Sequence, residues 1–227
     1  MDLLLTSATR LGTAVLLALL TATSVRAQGD LRPSVVDVEW RTPTGIERCA
    51  AVITARRPDA LEAWTAGHCT DVPLSVVRFF NGYQIYGSNV RILARSDAFD
   101  AAHLLIPVAP LEAQTTVTAV RARTAPPLGT TLTVIGHPVS GLRGTNQGLW
   151  TVTYARMGET AADQATGAPE YEIYCPQCGP GNSGSGVFDP AGHLIGIVYG
   201  VTEIQNVAGG RLPDGLYADV VPVGALR

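Results

Sequence analysis

The sequence runs to 227 residues, 46% of them hydrophobic and 15% charged, with a formal net charge of −3. That balance excludes a disordered chain, and the lack of a basic cluster excludes nucleic acid as a partner. All 16 basic residues are arginine, which rules out a Ser-Lys dyad, a Schiff-base lysine, a P-loop lysine and an S-x-x-K motif.

Taken in chain order, the first element is a leader. Arg10 closes a short n-region, Leu11–Ala22 form an apolar run, and Val25-Arg26-Ala27 offers a small residue at a cleavage point. This is a secretory signal pattern over residues 1–27. The run of about 12 apolar residues is too short to span a bilayer, and no cysteine follows it to carry a lipid. The expected protein is therefore secreted or periplasmic, with no stable membrane association after signal removal. Roughly 200 residues remain, enough for a large core.

Short runs rich in Val, Ile, Thr and Tyr follow, bounded by Gly, Pro, Asp or Asn. They are Val35–Arg41, Cys49–Thr54, Ser75–Phe80, Val90–Ala94, His103–Ile106, Thr116–Arg121, Thr131–Gly136, Leu149–Arg156, Tyr171–Tyr174, Gly186–Phe188, Leu194–Val201 and Leu216–Val221. Only Pro58–Thr65 and the last few residues hint at helix. The pattern reads as all-β, a barrel or sandwich. About a dozen strands is many for one small barrel, and the stretch Pro110–Leu128, ending in "TAPPLG", is the expected crossing between two. There are no repeats and no low-complexity tract.

The four cysteines, Cys49, Cys69, Cys175 and Cys178, are an even count in an exported chain and favour disulfides. Three pairings are possible; Cys49 with Cys69 and Cys175 with Cys178 is the simplest. Only one C-x-x-C pair is present, so a zinc site is not expected, and a thioredoxin-like role for it would need a βαβ context that the strand pattern lacks.

The sharpest chemical signal is "CGPGNSGSGVFD" (178–189), which surrounds Ser183 with glycine. Such backbone freedom marks either a surface turn or a loop that must approach something closely. A serine hydroxyl attacks only when a base takes its proton, and with lysine absent the base is histidine. His68 in "WTAGHCTD" stands beside a cysteine that could fix its backbone; His103 lies in the apolar run "AAHLLI"; His137 and His193 look like turn residues. A single histidine is more often structural than catalytic, so His68 needs partners. An orienting acid is available in "SDAFDAAHLLIP", where Asp100 directly precedes an apolar strand and Asp97 is the alternative. The order His68, Asp100, Ser183, with Ser185 where G-x-S-x-G requires glycine, excludes the α/β-hydrolase pattern.

With these residues in place the sequence resembles the chymotrypsin-fold, or trypsin-like, serine endopeptidases. "TAGHC" (65–69), "DAAHL" (100–104) and "GNSGSGVF" (181–188) look like that family's three motifs in its own order. "CAAVIT" resembles the strand whose cysteine bonds the cysteine after the catalytic histidine, "LIGIVYG" (194–200) the strand lining the substrate cleft, and "DGLYADV" (214–220) the strand closing the specificity pocket. The Asn-containing "GNSGS" is similar to the bacterial glutamyl-endopeptidase-like branch. The resemblance implies two six-stranded antiparallel Greek-key β-barrels packed together, with the active site in the cleft between them. The N-terminal barrel, 28–115, would carry His68 and Asp100, and the C-terminal barrel, 116–227, would carry Ser183. It also implies a His68-Asp100-Ser183 triad, an oxyanion hole from the Gly181 and Ser183 amides, and a substrate cleft at Val198, Tyr199, Gly200 and Gly215. Protein or peptide substrates, a monomer, no cofactor and no metal are expected.

Three departures matter. Five positions separate Cys178 from Ser183, one more than in the trypsin-type loop, with Pro180 in the extra place. Asn182 replaces the aspartate that pairs with a new N-terminal amine in trypsin-like zymogens. Glutamyl enzymes carry histidine where Val198 falls, and no acid lies in "YCPQCGPGN" (174–182). By elimination the side chain before the cleaved bond is expected to be uncharged and apolar, with Arg211 the one nearby cation to consider. The alternative function is a catalytically inactive, secreted binding protein on the same fold.

Overall fold

The computed structural model describes residues 29–43, 45–137, 150–162, 166–204 and 215–226. The signal segment 1–27 and Arg211 lie outside them. The chain is all-β, in two seven-stranded sheets.

The first sheet contains β1 (Val35–Thr42), β2 (Gly45–Arg56), β3 (Ala60–Ala66), β4 (Val76–Arg78), β5 (Gln84–Tyr86), β6 (Arg91–Ser96) and β7 (Ala101–Pro107). Its order is β5-β4-β1-β2-β3-β7-β6, which leaves β5 and β6 as open edges. A short helix, α1 (Pro110–Thr115), starts the crossing. The second sheet contains β8 (Val120–Arg121), β9 (Thr131–Gly136), β10 (Thr151–Ala162), β11 (Pro169–Tyr174), β12 (Gly186–Phe188), β13 (His193–Ile204) and β14 (Gly215–Pro222). Here β12 pairs with both β9 and β13, so six strands close on themselves, while β8 joins β13 in parallel. The expectation of two six-stranded barrels is thus met by one closed barrel and one open half-barrel.

The period-2 pattern decides what each strand buries. On β1, Val36, Val38 and Trp40 enter the core of the first sheet with Ile53, Leu61, Leu104 and Ile106. The second barrel is filled by Leu132, Val134, Met157, Ile173, Val187, Ile195 and Val220. A third cluster joins the two sheets, with Val35, Val52 and Trp64 from the first against Ile135, Phe188, Ile197 and Val221 from the second.

The expected helix over Pro58–Thr65 is instead β3, paired with β2 on one side and β7 on the other. Ala and Glu favour helix, but Leu61 and Ala63 face one core while Trp64 faces another, an alternation that a helix would scramble. The last residues form a turn, with Ala225 N–H donating to Pro222 O at 2.9 Å.

Both disulfides form as the simplest pairing, Cys49–Cys69 and Cys175–Cys178. His137 is not an exposed turn residue. It is 2% exposed at the end of β9, and among the described residues neither ring nitrogen has a hydrogen-bond partner. The Trp150 ring meets it edge-on at 4.7 Å. Burial, aided by the charge of Arg48, pushes its pKa down to about 3.

That burial gives a stability prediction with a definite sign. The unfolded imidazole protonates near pH 6.5, roughly, whereas the folded one stays neutral until about 3. Stability is expected to be undiminished by this group above about pH 6.5 and to fall below it by up to about 1.4 kcal/mol per pH unit. Urea unfolding of His137→Phe from about pH 7 to about pH 4 should show a shallower acid limb than the unaltered protein. Parallel limbs would contradict the account.

Candidate active site

The site is assembled at the seam between the sheets. The chain leaves β3 at Ala66 and enters a 3-10 turn, Gly67–Thr70, that carries His68. Cys69 in this turn is disulfide-bonded to Cys49 of β2. Gly67 N–H donates to Asp100 O at 2.7 Å, and a Cβ at Gly67 would stand 2.7 Å from Asp100 Oδ1. Asp100 adopts φ 41°, a left-handed value rare outside glycine, immediately before β7. The glycine and the bend together let the carboxylate lie under the histidine.

Asp100 holds His68 twice. Its Oδ1 accepts the His68 backbone N–H at 2.8 Å, and its Oδ2 lies 2.6 Å from His68 Nδ1. The other ring nitrogen, Nε2, lies 2.9 Å from Ser183 Oγ. Hydrogen bonding to Asp100 raises the His68 pKa above its ordinary value, against the opposing effect of burial. Burial pushes Asp100 upward, but the hydrogen bond and charge of His68 prevail and hold it below the usual carboxylate range. Asp97, the other candidate acid, bonds Arg95 at 3.0 Å with its side chain 89% exposed.

The other histidines are engaged elsewhere. His103 stacks on Trp64 at 4.4 Å and pairs with Glu62 at 3.1 Å. His193 lies 3.3 Å from Asp189. Cys49, His68 and Cys69 lie close enough to share a metal, but both sulfurs are consumed in their disulfide.

The serine loop is fixed on both sides. Ala50 N–H of β2 donates to Ser183 O at 2.8 Å, and Gly184 N–H donates to Val198 O at 2.7 Å. Thr65 Oγ1 donates to Ala50 O at 2.7 Å. Gly184, at φ 77°, sits so close that a Cβ would fall 1.8 Å from Ala50 O. Asn182, 1% exposed, accepts the Gly179 N–H at 3.0 Å and donates to Ser185 Oγ at 3.3 Å. The Cys175–Cys178 disulfide braces the chain just upstream. Among the described residues, the Gly181 and Ser183 N–H groups have no acceptor, unlike the Asn182, Gly184 and Ser185 N–H groups. Gly181 reaches φ 89°, which turns its amide as an L-residue rarely could.

The cleft residues fare differently. Val198 points into the second barrel's core, 1% exposed, so it offers the cleft backbone rather than side chain. Tyr199 contacts both the first-sheet core and the inter-sheet cluster, and its O–H donates to Glu170. Gly200 and Gly215 do not face each other. Gly200 pairs with Asp219, Gly215 pairs with Ile204 at the far end of the same ladder, and the Tyr174 ring fills the space beside Gly215. A Cβ at Gly200 would lie 2.8 Å from Asp219 Oδ2, which also accepts a bond from Thr202 at 2.8 Å. A carboxylate thus stands against Gly200 and an aromatic ring against Gly215. Glu170 and Asp219 were missed because strand alternation alone reads them as solvated positions.

Chemically, the arrangement sets a hydroxyl against an imidazole held by a carboxylate, on a loop with two uncommitted amides. A carbonyl carbon brought to Ser183 Oγ could be attacked as His68 Nε2 takes the proton, with the oxyanion received by the two amides.

Comparison with known proteins agrees with the architecture. The family model described as "Trypsin-like peptidase domain" matches residues 18–197. No curated protein matches the sequence. Among solved structures the chain is similar to the active form of the Rv3671c protease from M. tuberculosis, at TM-score 0.63 and 20% identity over 86% of this chain and 78% of that one. It is also similar to the HtrA-type protease AlgW with tripeptide, at TM-score 0.61 and 24% identity over 85% of this chain. A third is the serine endoprotease from Yersinia pestis, at TM-score 0.59 and 19% identity over 86% of this chain. The chain spans 57% and 60% of the last two. At these identities the likeness concerns the fold, and none of the three points to the glutamyl-endopeptidase-like branch.

Two measurements test the geometry. The His68 imidazole, followed by NMR, should titrate above about pH 6.5, and in Asp100→Asn its midpoint should move to lower pH because the proton loses its acceptor. An unmoved midpoint would remove Asp100 as the partner. Gly184→Ala should cost at least about 2 kcal/mol of stability, since a Cβ there meets backbone rather than flexible side chain; thermal or urea unfolding reads the loss.

Proposed function

The chain belongs to the trypsin-like peptidase domain family, and from that membership we propose that it is a secreted or periplasmic serine endopeptidase working through His68, Asp100 and Ser183. The observation that carries this reading is the pair of contacts on one imidazole, 2.6 Å to Asp100 and 2.9 Å to Ser183, beside the two unengaged amides.

In the proposed mechanism His68 Nε2 accepts the Ser183 proton as Oγ attacks the peptide carbonyl carbon. The Gly181 and Ser183 N–H groups bind the resulting oxyanion; one such donor is worth about 3 kcal/mol of barrier. Protonated His68, stabilised by the Asp100 carboxylate, then gives its proton to the leaving amine, and the C–N bond breaks. Water, deprotonated by the same imidazole, releases the acyl group and restores Ser183. Asp100 stays ionised throughout, in keeping with its lowered pKa. Protein or peptide chains are the substrates. Export is supported by the N-terminal signal pattern and by the two disulfides. No helix among the described residues is long and apolar enough to cross a membrane.

Activation in this reading needs no freed amine. Asn182 carries no charge to receive an ammonium, and its amide already serves Gly179 and Ser185.

A fluorophosphonate probe decides between this reading and an inactive binding protein. The unaltered protein should label at Ser183, with labelling lost in Ser183→Ala and His68→Ala and peptide hydrolysis slowed about 10⁴-fold in Asp100→Asn. Chains beginning at Gln28, with or without two added residues, should label at equal rates. Absence of labelling in the unaltered protein would favour the binding protein. Labelling confined to one defined N-terminus would overturn the activation scheme.

A further inference from the structure

We propose that the flank of the second barrel carries a binding site for a medium-chain aliphatic carboxylate, distinct from the catalytic cleft. A solvent-connected cavity of about 570 Å³ lies between the segment 122–125 of the crossing, the facing strands β10 and β11, and the turn that follows β14. Its size falls within the range of about 300–1,000 Å³ usual for small-molecule pockets. None of its lining residues belongs to the His68-Asp100-Ser183 set or to the Gly181 loop.

The walls define the ligand. Phe99, Tyr171, Ile195, Pro222 and Val223 supply an apolar surface. Part of the main chain around the cavity is already committed or lacks a donor. Ala122 N–H is taken by Leu194 O, Val223 N–H by Ile195 O and Ala225 N–H by Pro222 O, while Pro169 and Pro222 have no N–H. An extended peptide recognised by strand addition needs such donors; a hydrocarbon chain does not.

Among the described residues, the one charge on the rim is Arg123. It is exposed and has no ion-pair or hydrogen-bond partner among the described residues. A guanidinium offers a planar fork that matches one carboxylate, and the hydroxyls of Thr124 and Thr160 border the same opening. An apolar body with a single anionic head satisfies both features, whereas a cationic head would meet Arg123 with like charge.

Isothermal titration of decanoate into the full chain carrying Ser183→Ala, which removes self-cleavage, tests the proposal. Saturable one-to-one binding is expected, weakened at least about tenfold in Arg123→Gln, because charge-assisted bonds contribute on that scale. Decyltrimethylammonium, of the same chain length and opposite charge, should not bind. Ala225→Phe, which narrows the cavity, should abolish decanoate binding; in the Ser183-containing protein it should leave the fluorophosphonate labelling rate unchanged. Because Arg123 is exposed, its variant keeps the test valid even if Ala225→Phe lowers the melting temperature. Absence of saturation below the micellar concentration, equal binding of the two amphiphiles, or unchanged affinity in Arg123→Gln would each overturn the proposal.

Discussion

One backbone hydrogen bond organises the molecule: Ala50 N–H of β2 to the carbonyl of Ser183. It joins the sheet that carries the imidazole to the loop that carries the hydroxyl. Everything nearby is shaped to allow it. Gly184 has no side chain because Ala50 O stands where one would be. Thr65 Oγ1 donates a hydrogen bond to that same oxygen. Gly136 makes room for Ser185, whose Oγ would otherwise lie 1.7 Å from a Cβ. The glycines flanking the serine are thus demands of close approach between two sheets as much as of mobility.

The contributions divide along that seam. The first sheet supplies the imidazole and its carboxylate partner, held by the disulfide at Cys69 and the bend at Asp100. The closed second barrel supplies the hydroxyl and the amides, on a loop braced by Asn182 and Cys178. The shared apolar cluster around Trp64, Phe188 and Ile197 makes the two halves bury surface against each other. Side chains that must meet within 3 Å, roughly, are therefore held by packing rather than by their own weak contacts.

Much of this was legible in the sequence because the decisive features are local. The twelve runs rich in β-branched and aromatic residues all contain strand, the disulfides follow the simplest pairing, and "TAGHC", "DAAHL" and "GNSGSG" each mark a place where a strand meets a special turn. What failed to show depends on pairing across the chain. β3 was obscured by Ala and Glu, whose helical preference is overridden once β2 and β7 flank it. β5 is only three residues long and carries too little periodicity to register. That Asp219 rather than Gly215 stands opposite Gly200 could not be read from the sequence, because a strand's composition does not disclose its register, and the ladder carries an irregularity between Val198 and Gly200. Asp100 was preferred to Asp97 for its place directly before an apolar strand; the left-handed backbone that carries it under the imidazole is what no pattern of residue types announces.

Asn182 has a consequence for the conditions under which the oxyanion loop keeps its shape. Where such a loop is ordered by an ammonium buried against a carboxylate, its order fades in alkaline solution as the amine loses its proton, near pH 8 or so. It also inherits the heavy desolvation cost of two buried ions. A neutral amide bonded to Gly179 and Ser185 does neither. It cannot titrate, and its dipole is little affected by dissolved salt. The arrangement around Gly181 is thereby uncoupled from alkalinity and ionic strength, two variables set by the surrounding solution rather than by the protein.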